Sequence, residues 1–85
     1  MAPYEIRFKE SVARDLKGLP REQVTAILER ICALADNPRP RGCEKLSGLE
    51  RYRIRQGHYR VIYEIRDRQL VVLVVNIGHR SHVYR

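Results

Sequence analysis

Cations recur at alternate positions between Arg51 and Tyr63, where the chain reads Arg-Tyr-Arg-Ile-Arg-Gln-Gly-His-Tyr-Arg-Val-Ile-Tyr. The period of two and the Tyr, Ile and Val content predict a pair of β-strands. A two-residue connection at Gln56-Gly57 pairs Arg55 with His58, Arg53 with Arg60 and Tyr52 with Val61. Arg51, Arg53, Arg55, His58 and Arg60 then share one face, with no Asp or Glu on it before Glu64. Tyr52, Ile54, Tyr59, Val61 and Tyr63 share the other and read as core. A one-residue slip would mix arginines with core side chains, so the pattern specifies its own register. Directly opposed side chains lie about 5 Å apart and diagonal ones about 7–8 Å. That spacing suits a clamp on one phosphoryl group or on neighbouring phosphates, and the planar arginine fork suits bidentate contact with either.

Arg53, Arg55 and Arg60 are therefore the first candidate site residues, with Arg51 and Lys45 extending the phosphate-binding surface. Further on, Arg80 follows an apolar strand, with His79, His82 and Tyr84 close in sequence. Cleavage of RNA by its own 2′-hydroxyl needs a base for that proton, cations for the developing phosphorane charge and an acid for the leaving oxygen. The two cysteines and three scattered histidines form no zinc pattern, and no acidic pair stands out. The chemistry expected is metal-free and needs no cofactor.

These residues must be held by a small frame. The 85 residues make one domain, 1–85. Tyr4 to Phe8 alternates and predicts a first strand. Phe8, Val12, Leu16 and Leu19 then fall at helical spacing, ended by Gly18-Leu19-Pro20. Val24, Ile27, Leu28, Ile31, Leu34 and Ala35 form the apolar face of a second helix, stopped by Asn37-Pro38. Arg39 to Lys45 is a polar loop, the next strand starts near Leu49, and Asp67-Arg68 is a second tight turn. Leu70 to Ile77 is apolar on both faces, as in a central strand. The predicted fold class is α+β: a strand, an αα-hairpin and a three-stranded meander (β-α-α-β-β-β), sheet order 1-4-3-2. The helices cover one face and leave the arginine face open.

Charge divides along the same line. Residues 1–38 carry six Lys/Arg and six Asp/Glu, whereas residues 39–85 carry eleven and four, so 11 − 4 = +7 is the whole net charge. A balanced scaffold joined to a cationic surface points to nucleic acid as partner. No basic amphipathic helix, membrane-length apolar run or signal-peptide pattern is visible, so no membrane partner and a cytoplasmic location are expected. The two cysteines are expected as thiols.

The segments Lys45-Leu46-Ser47-Gly48-Leu49, Tyr52-Arg53-Ile54-Arg55, Gly57-His58-Tyr59-Arg60-Val61-Ile62-Tyr63 and Gly78-His79-Arg80-Ser81-His82-Val83-Tyr84, in this order after a strand and a helical hairpin, resemble the RelE branch of the RelE/ParE toxin superfamily. The resemblance runs over nearly the whole chain. It implies the toxin of a type II toxin–antitoxin pair, an endoribonuclease that cuts mRNA in the ribosomal A site and inhibits translation. It further implies Arg53 and Arg55 as the basic pair, Arg60 as the phosphate-binding arginine, Arg80 as leaving-group stabiliser or acid, and Tyr84 as the tyrosine that stacks with or orients the substrate.

The best-known members carry lysines where this chain has Arg53 and Arg55. Arginine titrates above about 12, so neither residue can serve as a base near neutrality. His58, His79, His82 and a Tyr84 of lowered pKa remain as acceptors, as do water and ribosomal groups. Two alternative functions are a ParE-like toxin, the same fold acting on DNA gyrase without RNA chemistry, and a non-catalytic RNA-binding module. The implied partners are a cognate antitoxin, the ribosome and mRNA. The antitoxin would lie as a helix beside the αα-hairpin or as an acidic or strand-like segment on the basic face.

Overall fold

The computed structural model describes residues 3–46 and 50–79. A strand over Glu5–Phe8 (β1) leads into helices Glu10–Lys17 (α1) and Arg21–Ala33 (α2). Strands Glu44–Lys45 (β2), Arg51–Gln56 (β3), Tyr59–Arg66 (β4) and Val71–His79 (β5) follow. Val12 of α1 and Ile27 and Ile31 of α2 are fully buried, as the helical spacing predicts, whereas Phe8, read as the first residue of the α1 stripe, ends β1 and is 45% exposed. Pro20 stands at the N-cap of α2, and its carbonyl accepts the Gln23 and Val24 N–H groups. No helix among the described residues is long and apolar enough to cross a membrane.

The fold class is α+β, but among the described residues the sheet has five strands in the order β1-β5-β4-β3-β2, so the expected order 1-4-3-2 is corrected to 1-5-4-3-2. The added member is β2, which pairs antiparallel with β3 through Glu44–Arg53 and Lys45–Tyr52. Two residues are too few to show any alternation, and they lay inside what reads as a polar loop. β1 runs parallel to β5, with Glu5–Phe8 beside Val71–Val74. The central strand is buried on both sides, as an apolar run requires: Val71, Val72, Val74, Val75 and Ile77 are all buried. It continues past the end of β1, where the Ile77 N–H is taken by the Asp15 carboxylate of α1 at 3.0 Å. A bulge between Ile62 and Tyr63 leaves Val75 as the extra residue on β5.

The helices pack on one face of the sheet. Val12, Ile27 and Ile31 join Tyr52, Ile54, Val61, Tyr63 and Val72 in a single cluster. The β3–β4 register differs from the expected one by two residues. Arg55 faces Arg60, Ile54 faces Val61 and Tyr52 faces Tyr63, so the turn is Gly57-His58 rather than Gln56-Gly57. The cause is backbone geometry: Gly57 has φ +60°, and glycine at the first central position belongs to a type II′ hairpin turn. Because the side-chain period is two, a two-residue change keeps every strand residue on its predicted face. Tyr52 and Tyr63 stack with ring centroids 5.9 Å apart.

The segment after α2 is tied down by a polar clamp. Tyr63 is fully buried and donates to the Pro38 carbonyl at 2.7 Å. Arg39 lies over the Tyr52 ring, 5.2 Å from its centroid, and forks onto Asp67 at 2.9 and 3.3 Å. Asp67 also accepts from the Tyr4 hydroxyl at 2.7 Å. Hydrogen bonds from Arg39 and Tyr4 hold its carboxyl below the usual carboxylate range. One carboxylate thus joins the N-terminus, the post-helical loop and the β4–β5 turn. That turn ends on Leu70, whose φ of 55° is left-handed in a residue with a branched side chain.

Two expectations follow. Gly57→Ala forces an L-residue into the left-handed region and should lower stability in urea by about 1–2 kcal/mol, while Leu70→Gly, at an exposed site of the same conformation, should raise it by about 0.5–1 kcal/mol. Equal and negligible shifts would show that neither turn is strained. The depressed Asp67 pKa stabilises the fold above its unfolded value near the usual 3.8, and that contribution is lost as pH falls through the lower folded value. Asp67→Asn should therefore flatten the acid limb of a stability–pH curve, and an unaltered limb would remove the clamp from the account.

Candidate nucleic-acid interface

On the face turned away from the helices, Arg55 and Arg60 stand directly opposite each other across β3 and β4. Their Cβ atoms are therefore about 4.5–5.5 Å apart. Arg53 lies two residues along β3 on the same face, opposite the buried Ile62 rather than opposite Arg60 as expected. Gly78 and Asn76 of β5 complete the surface beside Arg60 and Ile62. The register change thus brings together a different pair of arginines from the one expected, on the same side of the sheet.

The face also contains an acid that the sequence reading placed in a loop. β2 sets Glu44 opposite Arg53. The Nη2 and Nε of Arg53 both reach Oε1 of Glu44, at 2.6 and 3.2 Å, and Arg55 Nη2 is 3.9 Å from the same oxygen. The hydrogen bond and charge of Arg53 lower the Glu44 pKa, with smaller contributions from Arg55 and Arg60. The face of β3 and β4 itself has no acid before Glu64, as expected, but β2 adds Glu44 beside it. The only signal that could have found Glu44 is its rarity, as one of four acids among eleven cations in residues 39–85.

The remaining candidates are distributed less simply. Arg51 faces Glu64 and pairs with it at 3.1 Å, and Arg66 reaches the other oxygen of Glu64 at 3.2 Å. Burial acts to raise the Glu64 pKa, but the two arginines together outweigh it and the net shift is downward. Lys45 is opposite Tyr52, so its position belongs to the helical side of the sheet edge, and its Nζ is 3.8 Å from Glu50. It does not join Arg53, Arg55 and Arg60.

His58 occupies the hairpin turn and His79 pairs with Tyr59, on the opposite face from Arg60. The two imidazoles stack with centroids 6.0 Å apart, and Tyr59 meets His79 edge-on at 5.4 Å. Alternation therefore turns His79 away from the arginine pair. Arg80, His82 and Tyr84, and the expected strand start at Leu49, lie outside the described residues. β5 nevertheless brings the backbone past the site, since Gly78 is directly opposite Arg60.

Chemically, a cross-strand guanidinium pair can donate to both non-bridging oxygens of one phosphodiester, and a third guanidinium lies within reach of the next. Such contacts bind the backbone of a nucleic acid without reading its bases.

Comparison with known proteins gives a consistent picture. The family model for the ParE toxin of type II toxin–antitoxin systems (parDE) matches residues 6–84. The toxin RelE of Mycobacterium tuberculosis is 35% identical over 85 residues, spanning 98% of this chain and 88% of its own. The toxin RelG of the same organism is 32% identical over 87 residues, spanning 98% of both. Among solved structures, the toxin–antitoxin complex RelBE2 of M. tuberculosis superposes with a TM-score of 0.81 at 31% identity, covering 92% of this chain and 99% of that one. The archaeal RelE–RelB complex of Pyrococcus horikoshii gives 0.84 at 29% identity, covering 95% and 99%.

A phosphate-binding pair makes a quantitative demand. Arg55→Ala and Arg60→Ala should each weaken binding of a single-stranded oligonucleotide and reduce the salt slope of log K by about 0.7, the value for one lost phosphate contact. Arg21→Ala, an exposed change at the start of α2, should alter neither. A slope that does not differ among the three variants would place binding elsewhere.

Proposed function

This chain belongs to the RelE branch of the RelE/ParE superfamily of type II toxins, and from that membership we propose that it is a ribosome-dependent mRNA endonuclease, cleaving in the A site by metal-free attack of a 2′-hydroxyl on the adjacent phosphate. The observation that carries this reading is the directly opposed Arg55–Arg60 pair, with Arg53 beside it, on the sheet face turned from the helices. A gyrase-binding toxin needs no such phosphate-spaced cations.

In this mechanism Arg55 and Arg60 hold the scissile phosphate and stabilise the charge that grows on its oxygens. Arg53 neutralises the same region or the neighbouring phosphate. Arg80 attends the leaving 5′-oxygen and Tyr84 stacks with or orients the substrate, as the family resemblance implies. The arginines cannot accept the 2′-hydroxyl proton. His58 and His79 sit at the turned-away end of the hairpin, which leaves His82, Tyr84, ribosomal groups or water, and adds the Glu44 carboxylate beside Arg53 and Arg55. The ribosome would supply strand placement, which a small flat surface provides poorly by itself. Such an activity belongs in the cytoplasm.

The partner in the resting state is a cognate antitoxin, by analogy with the complexes formed by the RelE–RelB relatives. A largely apolar groove of about 430 Å³ lies beside α1, lined by Phe8, Val12, Ala13, Leu16 and Leu28 with Lys9 and Glu10. Phe8 is 45% exposed there, and the groove suits the apolar face of an antitoxin helix.

The test is primer extension on mRNA held in translating ribosomes. The protein should produce new stops in the A-site codon, and none on free RNA. Arg60→Ala and Arg80→Ala should each lower the cleavage rate by at least about 100-fold, the scale seen on removing one charge-stabilising group. Stops at the parental rate with both variants would remove these residues from the site. Absence of stops with the parent, together with inhibited supercoiling by gyrase, would favour the ParE-like reading.

A further inference from the structure

Glu44 is the feature of the basic face that phosphate binding leaves unexplained. Its Oε1 receives two bonds from Arg53 and lies 3.9 Å from Arg55, so it occupies the space that an anionic oxygen of a ligand would take. Arg53 is thereby held in a defined direction, with its side chain only 16% exposed, whereas Glu44 is 52% exposed and sits on a two-residue edge strand. Such a carboxylate is firmly enough placed to compete and loosely enough held to be displaced. We propose that Glu44 is an internal competitor of the RNA phosphate: it engages Arg53 and Arg55 in the free protein and must yield, or share them, when a strand binds. This rests on the reading of the face as an RNA-phosphate site.

The consequence is a charge threshold. A free single strand must displace a tethered carboxylate for each contact it gains at Arg53, whereas a strand also held by a larger assembly does so with contacts to spare. Glu44 would therefore set how poor a ligand free RNA is. Glu64 provides the internal comparison. It lies on the same face and also pairs two arginines, but these are Arg51 and Arg66, away from the Arg55–Arg60 pair.

The experiment is fluorescence anisotropy of the full chain with a short single-stranded RNA made uncleavable by 2′-deoxy substitution, over a range of salt. Since no cleavage occurs, the readout is independent of any part Glu44 plays in proton transfer. Glu44→Gln should tighten binding about three- to tenfold, the scale of one unit charge at ~4 Å in water. Its salt slope should steepen by about 0.7, as expected for one further phosphate contact. Glu44→Asp, which keeps the charge, should stay near the parent, and Glu64→Gln, which changes net charge equally, should tighten binding less than about twofold. The proposal is overturned if Glu44→Gln binds no more tightly than the parent, or if the two glutamine variants tighten it equally. Arg60→Ala separates the two levels. If it binds like the parent, the RNA reading of the face fails and the inference falls with it; if it weakens binding while Glu44→Gln changes nothing, only the inference falls.

Discussion

Like charges at directly opposed positions of antiparallel strands destabilise the pair, yet Arg55 and Arg60 are held in that relation. The other side of the same two strands explains why. Ile54 against Val61 and Tyr52 against Tyr63 are all buried, and each such side chain contributes on the order of 1.5–3 kcal/mol when fully removed from water. A like-charged pair at such positions costs on the order of 0.2–1 kcal/mol. The core therefore fixes which face each residue takes, and the positive φ of Gly57 selects, between two registers that keep those faces, the one that sets Arg55 against Arg60. A cationic pair on the outer face is the consequence, and Glu44 offsets part of its cost.

Glu44 is in turn placed by contacts far from the arginines. The chain leaving α2 is pinned where Tyr63 takes the Pro38 carbonyl and where Arg39 grips Asp67 and Tyr52. From there only Pro40 to Cys43 separates the clamp from β2, so a short span delivers Glu44 to the edge of β3. Arg39 looks like one more cation of the basic half, but its fork is spent on structure. Lys45, Arg51 and Arg66 are likewise held by Glu50 or Glu64. Among the described cations of the positive half, the four acids thus tie Arg39, Lys45, Arg51 and Arg66 to the frame and leave Arg53 and Arg55 beside Glu44.

Much of this was legible in the sequence because the signals were periodic. The stripe from Val24 to Leu34, the double-sided apolar run after Leu70 and the alternation around Tyr52 and Val61 each have one structural solution. What escaped had no period. A two-residue strand at Glu44–Lys45 cannot alternate, so the fifth strand, the altered order and the acid on the basic face were all missed together. The turn was misplaced because Gln-Gly and Gly-His both give hairpins that preserve the two faces, and only the positive φ of Gly57 distinguishes them. His79 read as a neighbour of the site by sequence distance, whereas strand alternation sends it to the side of Tyr59.

In the proposed function the Arg53–Arg55–Arg60 face receives the phosphate backbone. The most direct measurement is an NMR titration of the ¹⁵N-labelled arginine side chains with a short 2′-deoxy-substituted RNA. The guanidinium signals of Arg53, Arg55 and Arg60 should shift together and saturate, while those of Arg39, held by Asp67, and Arg21 on the helical side stay in place. Shifts confined to residues around the Phe8–Leu16 groove, with the three arginines unmoved, would contradict it.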